Sequence, residues 1–229
     1  MKKMKFMALF MSVALMLGSC GMSNTAKGGL IGGGSGAAIG AAVGLLVSGK
    51  SDKAKGAAIG AAIGTTVGTT TGVLIGKKMD KAKAEAEAIA AAQVESVQDA
   101  NGLQAVKVTF DSGILFDLNS STLKAAARTS LTEFSAILKS NTDMDVAIFG
   151  HTDKSGTLEV NQRVSKQRAE SVQNFLKGLG VAADQLVTVE GKDYQEYDDS
   201  KSAAENRRVE IYLYASKEMI EAANNGTLQ

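Results

Sequence analysis

The sequence lacks several residue types that common functions require. Its 229 residues include no proline, no tryptophan, one histidine and one cysteine. A hydrolase pairs a general base with a nucleophile, but no serine or cysteine stands out as a partner for His151. A zinc site ordinarily uses more than one histidine. The formal net charge is +1 and the basic residues are interleaved with acidic ones, which disfavours nucleic acid. We therefore predict that the chain is not an enzyme and holds no cofactor, metal or nucleic acid.

The N-terminus has the pattern of a secreted lipoprotein. Three lysines precede an uncharged run at 6–17, and LGSC follows. A basic start and a 12-residue apolar core are typical of a signal peptide and too short to span a bilayer. LGSC resembles a lipobox, so we predict a signal peptide at 1–19 and a lipidated Cys20 opening a segment 20–27. The absence of aspartate after Cys20 favours the outer membrane, with the globular part in the periplasm. A plain signal peptide with an incidental cysteine is the alternative.

Glycine recurs every fourth residue through two uncharged segments, 28–48 and 56–76, with eleven glycines at that spacing. Each glycine costs a soluble helix about 1 kcal/mol relative to alanine, whereas small residues at this spacing let helices pack closely in membranes. Twenty-one residues reach about 31 Å as a helix, enough for a hydrocarbon core. The pattern resembles the glycine zippers of envelope lipoproteins. It predicts a helical hairpin at 28–76 in contact with the lipid bilayer. Alternatives are a flexible spacer, or a hairpin that lies on the membrane or self-associates as a homo-oligomer.

The remaining chain predicts a helical spacer and one globular domain. Residues 77–101 are rich in alanine, lysine and glutamate and predict a helical spacer. Residues 102–215 predict an α+β sandwich of helices on a mixed sheet, in the order β-α-β-α-β-β. Residues 216–229 are polar and predict a frayed or loosely helical tail. The expected elements are a strand at 102–110, a helix at 120–139 capped by Ser120 or Ser121, a central strand at 144–150, a helix from 161 to Gly178 or Gly180, and strands at 186–191 and 207–214.

One helix carries polar residues where its apolar face should continue. Asn161, Ser165 and Arg168 share the face that buries apolar side chains further along the helix. Asp153 lies just beyond the preceding strand, in a loop that can fold back over this face. Asp153 and Arg168 would then offer a carboxylate for an ammonium group and a planar fork for a carboxylate, which suits a zwitterionic ligand. Thr152 and backbone amides could complete the hydrogen bonding. The alternative is an internal Asp153–Arg168 salt bridge that only holds the loop.

Several motifs in order resemble the OmpA-like peptidoglycan-binding domain, over about residues 106–214. They are VTFDSGILFDLNSSTLK at 108–124, GHTDKSG at 150–156, Asn161, VSKQRA at 164–169 and NRRVEI at 206–211. The loop that follows the third strand departs from the family, which usually has a glycine-rich loop with a proline there.

The resemblance implies binding of the diaminopimelate side chain of peptidoglycan stem peptides. It assigns the two poles of that amino acid to Asp153 and Arg168, with Asn161 and Ser165 also matching family positions. Of Arg207 and Arg208, it implies that one contacts the ligand or supports the loop and that the other is structural.

These predictions combine into a tether with a lipid anchor at one end and a wall-binding pocket at the other. A second hypothesis gives the function to the zipper, as a self-assembling membrane element, with wall binding only for positioning. A third makes the chain an envelope assembly adaptor.

Overall fold

The computed structural model describes residues 69–99, 102–117 and 120–228. The predicted signal peptide, Cys20 and most of the glycine hairpin lie outside these residues. The helices are α1 (Thr69–Glu87), α2 (Ser112–Leu115), α3 (Ala125–Ser140), α4 (Leu158–Gly178), α5 (Ala203–Asn206) and α6 (Lys217–Asn224). The strands are β1 (Ala92–Gln98), β2 (Gln104–Asp111), β3 (Met144–Gly150), β4 (Thr188–Gly191) and β5 (Arg208–Ala215).

The strands form one mixed sheet in the order β1-β2-β5-β3-β4. The pair β3–β4 is parallel and the other three pairs are antiparallel. From β2 to β5 the elements follow the predicted β-α-β-α-β-β order, if the single-turn helices α2 and α5 are set aside. The predicted α+β sandwich is therefore confirmed, and β3, expected to be central, has a neighbour on each side.

The core lies between the sheet and the helices α1, α3, α4 and α6. Alternate strand residues face it, as the period of two requires, and those of β2, β3 and β5 are fully buried. Phe110 of β2 meets Phe134 of α3 edge to face, with ring centroids 6.3 Å apart. Burying each large apolar side chain contributes about 1.5–3 kcal/mol, so this layer holds the helices against the sheet.

The region expected to be a helical spacer is part of the domain. The helix α1 ends at Glu87, and β1 adds an edge strand antiparallel to β2. Met79, Ala82 and Ala86 are fully buried in the core. The alanine-rich face looked too thin to pack, but small side chains let a helix approach a sheet closely. The prediction of a separate helical spacer at 77–101 is therefore wrong.

The second glycine segment also enters the domain. The last eight residues of 56–76 belong to α1, where Ile75 is fully buried in the core. Thr71 donates a hydrogen bond to Asn224, the last residue of α6, with 2.7 Å between Oγ1 and Oδ1. A free 21-residue span ending at residue 76 is thus inconsistent with the structure. Among the described residues, no helix combines the length and the hydropathy that crossing a bilayer requires.

The predicted ends of two elements need correction. The tail at 216–229 is not frayed, because α6 buries Met219, Ile220 and Ala223 beside α1. Helix α3 begins after Lys124 rather than at Ser120 or Ser121, and the Ser120 hydroxyl instead accepts from the Thr122 amide. The predicted glycine stop of α4 is present: Gly180 has φ +86°, and the amides of Gly180 and Val181 donate to the carbonyls of Lys177 and Leu176.

Candidate functional site

The site forms where the end of β3, the inner face of α4 and the start of β5 meet. Two glycines, at the ends of β3 and β4, allow α4 to approach the sheet closely. A Cβ on Gly150 would be 2.1 Å from the Ser165 carbonyl oxygen, and a Cβ on Gly191 would be 2.4 Å from the Ser165 hydroxyl. Because larger residues would push α4 away, the glycines fix the distance between the helix face and the loop after β3.

A cavity of about 230 Å³ opens beside Arg168. Two guanidinium groups, an aromatic ring and an ion pair line it. Its lining residues are Ser112, Gly113, Phe116, Asp117, Lys124, Arg168 and Arg207. The cavity therefore presents an excess of positive charge, which suits a ligand with at least one carboxylate.

Arg168 is held so that its fork faces this cavity. It is only 5% exposed, its Nε donates to the Ser120 carbonyl at 3.1 Å, and its guanidinium lies 5.2 Å from the centre of the Phe116 ring. Among the described residues, none accepts a hydrogen bond from its two terminal nitrogens. Burial, and then the charge of Arg207, lower the pKa of Arg168, whereas Asp153 raises it. The arginine on the buried helix face is thus a nearly buried donor with unused capacity.

Asp153 is buried and is not one of the residues that line this cavity, which it meets through its partner Arg207. One carboxylate oxygen accepts from the amide of Ser155 at 2.9 Å and from the Ser155 hydroxyl, and the other is paired with Arg207 Nη1. Burial alone would raise the pKa of Asp153, but these hydrogen bonds and the Arg207 charge hold it below its usual value. The alternative of an internal Asp153–Arg168 salt bridge is wrong, because the arginine in contact with Asp153 is Arg207.

Two of the other side chains predicted to contact ligand, those of Asn161 and Ser165, have internal partners. Asn161 Nδ2 donates to the Ser155 carbonyl at 2.8 Å, and so closes the loop that carries Asp153. Ser165 is fully buried, and its hydroxyl accepts from the amide of Asp193 at 3.2 Å. Thr152 is buried too, and its backbone amide donates to the Asp193 carbonyl at 2.8 Å, but its hydroxyl has no hydrogen-bond partner among the described residues. None of the three lines the cavity, so the structure gives them supporting positions in place of the predicted direct contacts.

The two adjacent arginines face opposite sides of the sheet. Arg207 lines the cavity, whereas Arg208 begins β5 and turns to the outer sheet face. There Arg208 Nε donates to Glu210 Oε1 at 2.7 Å, and both side chains are buried. This pairing favours Arg208 as the structural one of the pair, and a ligand contact by either arginine stays a prediction. His151, which follows the last residue of β3, also contacts this outer cluster.

Sequence reasoning missed the cavity wall formed by the turn before α3. An antiparallel bridge between Phe116 and Leu123 folds this turn back on itself. Lys124 then lies 3.2 Å from Asp117 and also donates to the Gly113 carbonyl. These residues fall within the motif at 108–124 that resembles the family, but their spacing alone does not indicate a wall.

Two family models match the chain. The OmpA family model matches residues 115–210, and the YMGG-like Gly-zipper model matches residues 1–80. A computed comparison of folds places the chain near a MotB-like protein from Desulfovibrio vulgaris, with a TM-score of 0.51 and 20% identity over 61% of this chain and 93% of that one. That likeness concerns the fold alone.

Two curated relatives extend the comparison. The chain is 36% identical to the "probable lipoprotein YiaD" of Escherichia coli K12 over 103 residues, or 44% of this chain and 47% of that protein. It is 35% identical to the peptidoglycan-associated lipoprotein of Pseudomonas aeruginosa over 119 residues, or 51% of this chain and 67% of that protein. The chain thus spans about half the length of YiaD and two thirds of the Pseudomonas protein. The sheet order, the motifs, the family models and these relatives agree. This chain therefore belongs to the OmpA family and carries a YMGG-like glycine zipper ahead of the OmpA domain.

Proposed function

We propose that the chain is an envelope lipoprotein that binds peptidoglycan non-covalently and so tethers the outer membrane to the cell wall. The Pseudomonas relative is named a peptidoglycan-associated lipoprotein, which supports binding to the wall at the level of the family. Membership of this family also agrees with the prediction that the chain is not an enzyme. The lipidation of Cys20 and the outer-membrane location rest on the sequence pattern at the N-terminus.

The single observation that carries the ligand assignment is the unused fork of Arg168 in a cavity beside Asp153. We assign to it the free amino-acid end of diaminopimelate, which has one carboxylate and one ammonium group. The carboxylate accepts from the terminal nitrogens of Arg168, which have no acceptor among the described residues. A charge-assisted, paired hydrogen bond of this kind is about twice as strong as a neutral one.

Arg207 gives the proposed binding a defined exchange step. Its guanidinium occupies the oxygen of Asp153 that a ligand ammonium would use. The side chain of Arg207 is 37% exposed and lines the cavity, so it can turn without unfolding its surroundings. On binding, the ligand ammonium takes the place of Arg207 on Asp153, and Arg207 turns to the ligand carboxylate. Each cation then keeps an anionic partner, which limits the cost of desolvation.

Sedimentation with purified peptidoglycan that contains diaminopimelate tests the proposal. The full chain in detergent is the right material, because a fragment that starts at residue 100 would lose α1 and β1 from the core. We expect Arg168→Ala or Asp153→Ala to lower retention at least ten-fold. The matched control is Arg163→Ala, which removes an exposed arginine from the same helix. Free diaminopimelate should compete, and pimelate, which lacks both amines, should not. Unchanged retention in both site variants would remove the ligand assignment.

The second candidate function, self-assembly through the glycine zipper, is favoured by the match of residues 1–80 to the YMGG-like Gly-zipper model. Replacing Gly36 and Gly64 with leucine should then reduce the oligomer size of the full chain in detergent while wall retention stays constant. An unchanged oligomer size in this double variant would count against self-assembly.

A further inference from the structure

The outer face of the sheet holds a buried polar cluster that wall binding does not use. His151 follows β3, Glu210 lies on β5, and Glu196 lies in the loop after β4. Glu210 Oε2 is 3.5 Å from His151 Nε2, and Glu196 Oε2 is 4.0 Å from His151 Nδ1. One ligand atom from each of the three residues lies within 4.8 Å of the other two. The cluster therefore gathers one imidazole and two carboxylates at a single place.

The imidazole in this cluster lacks hydrogen bonds that its burial should require. His151 is 1% exposed, and among the described residues neither ring nitrogen has a hydrogen-bond partner. Leaving a buried polar atom unpaired costs about 1–3 kcal/mol. Such a group calls for an explanation, and a bound ion is one of the few available. Both nitrogens face carboxylates at distances longer than a hydrogen bond.

We propose that His151, Glu210 and Glu196 bind a divalent transition-metal ion, with Zn²⁺ favoured by the ligand types. An imidazole nitrogen with carboxylate oxygens suits Zn²⁺, whereas Mg²⁺ and Ca²⁺ prefer oxygen ligands alone. Two ligands about 2.0–2.2 Å from a tetrahedral zinc ion lie about 3.4 Å apart, close to the Nε2–Oε2 separation in the structure. Glu196 is partly exposed and its carboxylate lies beside Nδ1, so it moves towards Nε2 to complete the site, and water takes the fourth position.

Neighbouring side chains orient the Glu210 carboxylate as outer partners of a metal ligand do. The Tyr212 hydroxyl donates to Glu210 Oε2 at 2.8 Å, and Arg208 Nε donates to the other oxygen at 2.7 Å. Such outer hydrogen bonds fix the direction of a ligating carboxylate. Among the described residues, Arg208 is the arginine paired with Glu210, and no lysine or arginine is paired with Glu196. Two carboxylates against one guanidinium leave a negative charge for a cation to offset.

The ion would connect three separate parts of the fold. It would join the end of β3, the centre of β5 and the loop after β4. His151 lies two residues before Asp153, so the same ion would also steady the segment that carries the proposed ligand carboxylate. This metal site revises the expectation drawn from the single histidine in the sequence.

The test uses the full chain with Cys20→Ser, which removes the one thiol, and without a histidine tag. The protein is stripped with a chelator and titrated with Co²⁺ and then Zn²⁺ at pH 7.5. We expect visible absorption bands of bound Co²⁺, their loss when Zn²⁺ displaces the cobalt, and a rise in melting temperature with Zn²⁺. Chelator should restore the starting melting temperature.

Glu196→Gln is the decisive variant, because Glu196 is partly exposed and its loss should not unfold the domain. We expect it to weaken zinc binding at least ten-fold. Asp199→Asn, an exposed change in the same loop, should change zinc binding less than two-fold. His151→Gln should abolish the cobalt bands. An absence of cobalt bands in the parent chain, equal zinc affinity in Glu196→Gln, or a melting temperature that responds to pH but not to Zn²⁺ would each overturn the proposal. The last outcome would mean that a proton fills the place assigned to the ion.

Discussion

Arg207 and Arg208 are neighbours in the sequence, yet they belong to two different regions of the molecule. Arg207 borders an open cavity, and its side chain is 37% exposed. It pairs with one carboxylate oxygen of Asp153, while Ser155 donates hydrogen bonds to the other. Arg208 is buried on the outer sheet face in a fixed pair with Glu210. The difference arises where β5 begins, since successive strand residues point to opposite faces. The same ion-pair chemistry therefore provides an exchangeable contact on one face and a permanent one on the other.

Replacing each arginine with alanine should separate the two regions most strongly. Arg208→Ala leaves the buried Glu210 carboxylate without its cation, which should lower the free energy of unfolding by about 3–5 kcal/mol. Arg207→Ala removes a partly exposed pair, and Asp153 keeps its Ser155 hydrogen bonds, so the loss should be about 1 kcal/mol or less. Urea unfolding of the full chain, followed by circular dichroism, measures both.

Retention on peptidoglycan provides the second readout for this pair of variants. We expect Arg207→Ala to lose retention while Arg208→Ala keeps it at temperatures where the variant remains folded. Equal losses of stability would show that the two ion pairs do not differ as their burial indicates.

The sequence predicted the order of the elements along the chain from β2 to β5 and the buried Arg168, because both depend on short-range periodicity. It failed for α1 and β1, since alanine and mixed polar residues carry little periodic signal and their burial depends on β2. It left open which of Arg207 and Arg208 is structural, because the contact between Arg207 and Asp153 depends on the path of the loop after β3. The internal role of Asn161 depends on the loop bearing Ser155, and that of Ser165 on the loop bearing Asp193; no local pattern specified the path of either loop.

Arg168→Lys tests whether ligand binding in the cavity requires the paired donors of a guanidinium group or only a positive charge. Lysine offers a point charge that cannot form the paired contact with a carboxylate, and it also loses the bond from Nε to the Ser120 carbonyl. We expect at least a ten-fold weaker retention on peptidoglycan, equivalent to about 1.4 kcal/mol. Arg163→Lys on the exposed face of α4 should leave retention unchanged. Full retention in Arg168→Lys would indicate that charge alone is sufficient.

Asp145 and Glu210 are both acids on the outer face of the sheet, and they differ in their charged neighbours. Glu210 is paired with Arg208, whereas Asp145 is partly buried and has no ion-pair partner among the described residues. Burial, together with the charges of Glu218 and Asp184, raises the pKa of Asp145 to about 6. Burial also acts on Glu210, but His151 and Arg208 lower its pKa below the usual range. The folded chain thus binds more protons at Asp145 than the unfolded chain between about pH 4 and pH 6, so this group makes stability fall as pH rises through that window.

Asp145→Asn should therefore stabilise the chain at pH 7.5, by about 1 kcal/mol after allowance for solvent screening, and have little effect at pH 4. Melting curves at the two pH values measure the difference. A stabilisation of equal size at both would mean that the charge of Asp145 is not its cause.

Ser165→Ala should have the smallest effect and separates a supporting residue from a contacting one within the cavity region. The Ser165 hydroxyl accepts from the buried amide of Asp193, so its loss leaves that amide unpaired and should lower the free energy of unfolding by about 1 kcal/mol. Because Ser165 does not line the cavity, retention on peptidoglycan should stay within two-fold of the parent chain. A loss of retention as large as that of Arg168→Lys, with stability unchanged, would instead make Ser165 a direct ligand contact, as its match to the family motif implies.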